Sequence, residues 1–142
     1  MTGTAPNLPR AQYAALAAFR TELRRFLAFS EQAAAKVGLP AQQHQALLVV
    51  AGQAAAPSVG FVAEQLLIAP HTAAELVARM VEAGLLAKTV APDDKRRAAL
   101  ALTPKAAALL GQLTTAHLSE LRALEPALAR ALGRLVGEPA GD

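Results

Sequence analysis

The chain has 142 residues, 54% of them hydrophobic and only 4% aromatic, which fits one compact domain with appended helices. The absence of Cys excludes a disulfide framework, a Cys-ligated zinc or iron–sulfur site, a thiol nucleophile and a thiol redox switch. The formal net charge is +3, a mildly basic balance that slightly favours an anionic partner, and no apolar run approaches the roughly 18–20 residues of a membrane span.

Residues 1–7 read as a loose leader without the basic start and apolar stretch of a signal peptide, so a cytoplasmic protein is expected. Residues 8–36 predict one long helix, because Tyr13, Leu16, Arg20, Leu23, Phe26, Leu27 and Ser30 recur at spacings of three and four. Phe19 and Phe29 widen that stripe. So much apolar surface on one helix calls for cover from another subunit. Gly38-Leu39-Pro40 ends the helix, since Gly suits the left-handed position after a helix and Pro cannot continue it. A second helix is expected over 41–53, with Leu47, Leu48 and Val50 toward the core. Gly52 and Pro57 bracket a turn, and Ser58-Val59 reads as a short extended piece. A third helix is expected over 60–67, with Val62, Leu66 and Leu67 apolar. Ile68-Ala69-Pro70 makes a tight turn and puts Pro70 at the first position of a fourth helix. That helix runs to Ala83 and stops at Gly84.

Beyond Gly84 the period shortens toward two. Residues 85–91 and 97–102 read as two strands, with Leu100 and Leu102 on one face, joined by a polar connection over 92–96. Thr103 and Pro104 open another helix as N-cap and first residue. Leu110, Leu113, His117, Leu121, Leu124 and Leu128 extend it, and Pro126 is expected to kink or split it near Glu125. The expected fold is mainly α with a small β-hairpin wing.

Charge is unevenly spread. Residues 41–84 carry Arg79 against Glu64, Glu75 and Glu82. Residues 85–105 carry Lys88, Lys95, Arg96, Arg97 and Lys105 against Asp93 and Asp94, so basic density peaks at Lys95-Arg96-Arg97. Two short helices on a tight turn, followed by a charged hairpin, make a winged helix-turn-helix. The second helix of such a pair fits the DNA major groove with its first residues at base edges. Its N–H groups and dipole also favour a phosphate. A basic hairpin beside it can put an Arg into the narrow, electronegative minor groove.

These residues resemble the MarR-type regulators. Gly38-Leu39-Pro40-Ala41-Gln42 is similar to that family's entry to its second helix, and Ala63-Glu64-Gln65-Leu66 to its "LAxxL" segment. Leu76, Arg79, Met80 and Gly84-Leu85-Leu86 are similar to the "L..RL....GLV" end of the recognition helix. Pro92-Asp93-Asp94-Lys95-Arg96 resembles the "DPxDRR" wing, and Leu102-Thr103-Pro104-Lys105 the "LT.KG" start of the next helix. The resemblance covers about residues 37–106. It implies a homodimeric transcriptional regulator, a repressor, bound to double-stranded DNA at a pseudo-palindromic operator. It further implies dimerisation helices at both ends (1–39 and 104–142) around a DNA-binding domain at 40–103, and a possible small aromatic or phenolic effector. In this comparison Asp94 holds Arg96, and Arg96 enters the minor groove. Pro70, His71, Thr72, Ala74 and Glu75 fall at recognition-helix contacts. The chain departs from the pattern at Ala74, where Ser or Thr is common, and at Glu75, where a basic residue is common. It departs also at Ala91 in place of Asp, Lys95 in place of Arg and Ala106 in place of Gly.

The residues themselves leave choices open. Arg96 is either a groove contact or a solvated hairpin charge, and Lys95 and Arg97 either touch phosphate or are solvated. Ala73, Leu76, Val77 and Met80 should point inward, which turns His71, Thr72, Glu75 and Arg79 outward. Arg79 either forms an ion pair or touches phosphate. Glu75 is a poor phosphate neighbour, although a Glu can accept from cytosine N4. His44 and His117 suit core or interface packing better than metal binding or catalysis. The three His are 27 and 46 residues apart, without metal-ligand spacing. With no acid–base pair and no Gly-rich phosphate loop, neither an enzyme nor a cofactor is expected. The competing reading is a dimeric winged-helix protein-interaction or ligand-sensing module with weak or lost DNA binding, motivated by Glu75 and the acidic stretch around it.

Overall fold

The computed structural model describes residues 7–91 and 94–137, with side chains for all of these except 91 and 94–97. In chain order the elements are α1 (Arg10–Lys36), α2 (Ala41–Ala51), α3 (Val59–Leu66), α4 (Pro70–Glu82), β1 (Leu86–Ala91), β2 (Asp94–Leu102) and α5 (Pro104–Val136). The fold is mainly helical with one two-stranded antiparallel hairpin. The chain divides into two compact units, Glu31–Thr115 and a second made by residues 7–30 with 116–137. Among the described residues no helix is long and apolar enough to cross a membrane.

The first unit is the winged helix. Its core joins Leu47 and Val50 of α2, Val62 of α3, Val77 and Met80 of α4, and Leu86 and Leu100 of the hairpin. Burying such a side chain contributes about 1.5–3 kcal/mol. Leu48, expected inward, is 42% exposed. It sits beside Leu47 in sequence and therefore turns about 100° away from it on the helix. His44 is buried on the same helix.

Two helix ends are closed by one device. After α1, Gly38 takes φ +79, and the N–H of Leu39 donates to the carbonyl of Ala34 at 2.9 Å. After α4, Gly84 takes φ +74, and the N–H of Leu85 donates to the carbonyl of Met80 at 2.9 Å. In each case the left-handed glycine turns the chain so that the following leucine falls back onto the core. Both leucines and both carbonyl partners are buried.

Ser58-Val59 is not the extended piece that the sequence suggests. Ser58 caps α3, its Oγ accepting from the N–H of Phe61 at 3.1 Å, and Val59 begins the helix. Extended pairing is reduced to Pro57, whose carbonyl accepts from the N–H of Leu100 at 2.9 Å. A proline has no N–H with which to extend a ladder.

Helix α5 runs unbroken for 33 residues through Pro126, contrary to the expected split. The proline removes one N–H and leaves the carbonyl one turn back without its helical donor. The leucine repeat on both sides of it still packs, with Leu121 and Leu128 half-buried, and tertiary context overrides local propensity.

In the second unit Ala15, His117 and Ala131 are buried. His117 Nε2 lies 2.7 Å from Ser30 Oγ. The imidazole meets Phe29 and Phe26 edge-on, with ring centroids 5.3 and 5.8 Å away. The phenylalanines of α1, Phe19, Phe26 and Phe29, are thus half-buried on the covered side of the helix. Tyr13, Leu16, Leu23 and Leu27 of the same helix are 40–62% exposed. Phe19, Leu23, Leu121, Leu128 and Leu132 line an apolar groove of about 400 Å³.

Candidate nucleic-acid interface

Helix α4 is held by one side. Ala73, Leu76, Val77 and Met80 are buried, as their spacing of three, one and three requires of one helical face. That rotation exposes Pro70, His71, Ala74, Glu75 and Arg79 and leaves Thr72 half-buried at the edge. All six candidate residues of this helix therefore share its outward side or its margin.

The start of α4 is unusual. Pro70 occupies the first turn, as expected, and Ala69 is the N-cap residue, with φ −66 and ψ 148 but no side-chain hydrogen bond. The first N–H groups of α4 thus lack a side-chain cap. They add to the positive end of the helix dipole, an arrangement that favours an anion. The turn before it is made by Leu67, a non-glycine residue at φ 58 and 91% exposed. The N–H of Ile68 donates to the carbonyl of Ala63 at 3.1 Å and closes α3.

The hairpin follows α4 directly. Leu86 pairs with Leu102, Lys88 with Leu100 and Val90 with Ala98, after which the register shifts and Ala91 pairs with Asp94. Residues 95–97 therefore fall within the shift. Asp94, Lys95 and Arg96, expected in a connecting loop, belong to β2. Backbone pairing extends the strand past its apolar part, since an exposed strand tolerates charged side chains. The side chains of Asp94, Lys95, Arg96 and Arg97, and hence the expected hold of Asp94 on Arg96, lie outside the described residues, as do Pro92 and Asp93.

Charge on the described surface of this unit is sparse. Glu64, Glu75, Arg79 and Glu82 are all exposed. Among the described residues none of them forms an ion pair. No group of three or more His, Asp or Glu able to hold a metal ion occurs among the described residues.

Two anchoring residues lie outside the sequence-derived set. Thr103, expected as a cap, also donates its hydroxyl to the carbonyl of Gly84 at 2.6 Å. Lys105 Nζ donates to the carbonyl of Ala83 at 3.1 Å, satisfying an acceptor at the end of α4. Nothing local signals that contact, because 22 residues separate its partners.

Comparison with known families bears on this same stretch. Residues 37–97 match the model of the MarR family. The matched segment thus runs from the end of α1 to the basic residues of β2. No curated protein matches the sequence. Among solved structures the chain is similar to AbsC, a MarR family transcriptional regulator from Streptomyces coelicolor, at 14% identity and a TM-score of 0.74, over 94% of each chain. It is similar to a mutant of Staphylococcus aureus MepR bound to an oligodeoxyribonucleotide, at 20% identity and a TM-score of 0.64, over 80% of this chain and 82% of that one. It is also similar to Staphylococcus aureus MarR in complex with salicylate and kanamycin, at 22% identity and a TM-score of 0.68, over 78% and 73%. At these identities the likeness establishes the shared winged-helix fold.

Proposed function

We propose that the chain is a DNA-binding transcriptional regulator, a repressor acting as a homodimer on a pseudo-palindromic site. Helix α4 lies in the major groove and the hairpin follows the adjacent minor groove, where Arg96 is the inserted residue and Asp94 orients it. Lys95 and Arg97 serve phosphates, as does Arg79, which has no carboxylate partner among the described residues. The reading is carried by one observation. Within a MarR-type segment, α4 is fastened through Ala73, Leu76, Val77 and Met80 and presents its opposite side to solvent, with a basic hairpin directly after it.

The exposed seam on α1 supports pairing of two copies through the first and last helices. Two recognition helices related by that symmetry would read half-sites about one turn, ~34 Å, apart. Regulation would follow from a ligand that prefers one spacing of the two helices, and it shifts the population only by its differential affinity. A small aromatic acid, of the kind held by Staphylococcus aureus MarR, is the proposed effector class.

The test is binding to duplex DNA across a salt series. A dimer contacting several phosphates loses affinity steeply as salt rises. Arg96→Glu should abolish binding. DNA binding that is absent at low salt, or indifferent to Arg96→Glu, favours instead a protein-interaction or ligand-sensing module, a reading to which exposed Glu64, Glu75 and Glu82 would then belong.

A further inference from the structure

Glu75 and Glu82 are the residues on α4 that fit a phosphate-rich partner least, and of the two Glu75 stands nearer the start of the helix. His71, Glu75, Ala78 and Glu82, at spacings of four, three and four, form the ridge opposite the buried side of the helix. Side chains at such spacings lie in line along a helix. All four are exposed. Glu75 stands in the second turn, near the end of a recognition helix that approaches base edges. Two of its neighbours, Ala74 and Ala78, are small and exposed. His71 and Arg79 lie one turn before and one turn after it, and a positive charge at the latter offsets repulsion between the carboxylate and nearby phosphates.

An ionised carboxylate accepts hydrogen bonds and donates none. In the major groove the only base donors are cytosine N4–H and adenine N6–H. Adenine sets its N7 acceptor beside N6, which repels a second carboxylate oxygen. Guanine offers two acceptors, and thymine an acceptor and a methyl group. Resting on the reading of the chain as a DNA-binding protein, we infer that Glu75 is a specificity-determining residue that reads a cytosine in each half-site, the cytosine N4–H₂ donating to its carboxylate. It adds little affinity for arbitrary DNA, because its charge opposes the phosphates wherever that donor is missing.

The experiment is selection from a random duplex library by the full chain at one fixed salt concentration, repeated with Glu75→Ala and Glu75→Gln. Glu75 is exposed and unpaired among the described residues, so both variants keep the fold. One half-site position should require cytosine with the natural residue, accept any base with Glu75→Ala, and turn to adenine with Glu75→Gln, whose amide matches N6 and N7 together. Replacing that cytosine should weaken the natural protein about tenfold or more and Glu75→Ala less than about threefold. Glu75→Ala should also bind random duplex more tightly. Selected sequences that are the same for all three proteins, or a responding position that is not cytosine in the natural one, overturn the inference and leave DNA binding standing. Failure of the natural protein to enrich any sequence overturns the DNA-binding reading and this inference with it.

Discussion

Thr103 and Gly84 are joined by one short hydrogen bond, the threonine hydroxyl donating to the glycine carbonyl at 2.6 Å. The same oxygen accepts from the N–H of Ala106 at 3.2 Å, so a single hydroxyl closes the exit of α4 and caps the entry of α5. The backbone N–H of Thr103 adds a bond to the carbonyl of Leu85 at 3.2 Å. Thr103→Val keeps the shape and removes both roles of the hydroxyl. It should cost about 2 kcal/mol, roughly half from the lost cap and half from the carbonyl left without its donor. Thr103→Ser should recover most of that loss. Urea unfolding of the three proteins measures the difference.

The uncapped start of α4 gives a pair of effects with opposite signs. Ala69→Ser supplies the missing cap and should raise stability by about 1 kcal/mol. Ala69→Asp should stabilise the helix comparably while placing a negative charge at a helix end whose N–H groups would otherwise suit a DNA phosphate. It should therefore melt higher and bind DNA more weakly. Thermal melts and DNA titrations at fixed salt read both, and a tighter-binding Ala69→Asp would contradict phosphate contact at this helix end.

Leu67 holds the left-handed conformation between α3 and α4 while 91% exposed. A side chain there costs about 1–2 kcal/mol, and this one returns almost nothing through burial. Leu67→Gly removes the strain but adds freedom to the unfolded chain. The net expectation is a gain of up to about 1 kcal/mol, visible as a raised Tm. A lowered Tm would mean that the leucine is covered in solution.

Pairing of two copies is checked by mass. Sedimentation should give twice 14.7 kDa. Leu16 and Leu27 are 49% and 62% exposed, so Leu16→Glu combined with Leu27→Glu leaves each chain's own packing nearly intact. The double variant should shift toward the single-chain mass with an unchanged far-UV circular dichroism spectrum. A natural protein that sediments as one chain would remove the homodimer from the proposal.

The first four helices and the hairpin, the helix ends at Gly38 and Gly84, and the inward side of α4 were legible in the residues, whereas the extended piece at Ser58-Val59 and a split of the last helix at Pro126 were not borne out. Each legible feature rests on interactions within a few positions: a left-handed glycine, a proline in the first turn, an apolar period of three and four. The outward set on α4 follows from the same period, because fixing one side of a helix fixes the other. The folded chain alone decided the rest. An apolar stripe reads the same whether its cover comes from α5 or from elsewhere, so only the structure separates the Phe26 and Phe29 side, closed by His117, from the open Leu16 and Leu27 side. The placement of residues 95–97 within the register shift depends on backbone pairing to which side-chain type contributes little. The ties of Thr103 to Gly84 and of Lys105 to Ala83 join positions about twenty residues apart. Such contacts exist only after the chain has closed on itself, because no local preference specifies which distant carbonyl a hydroxyl or an ammonium group will meet.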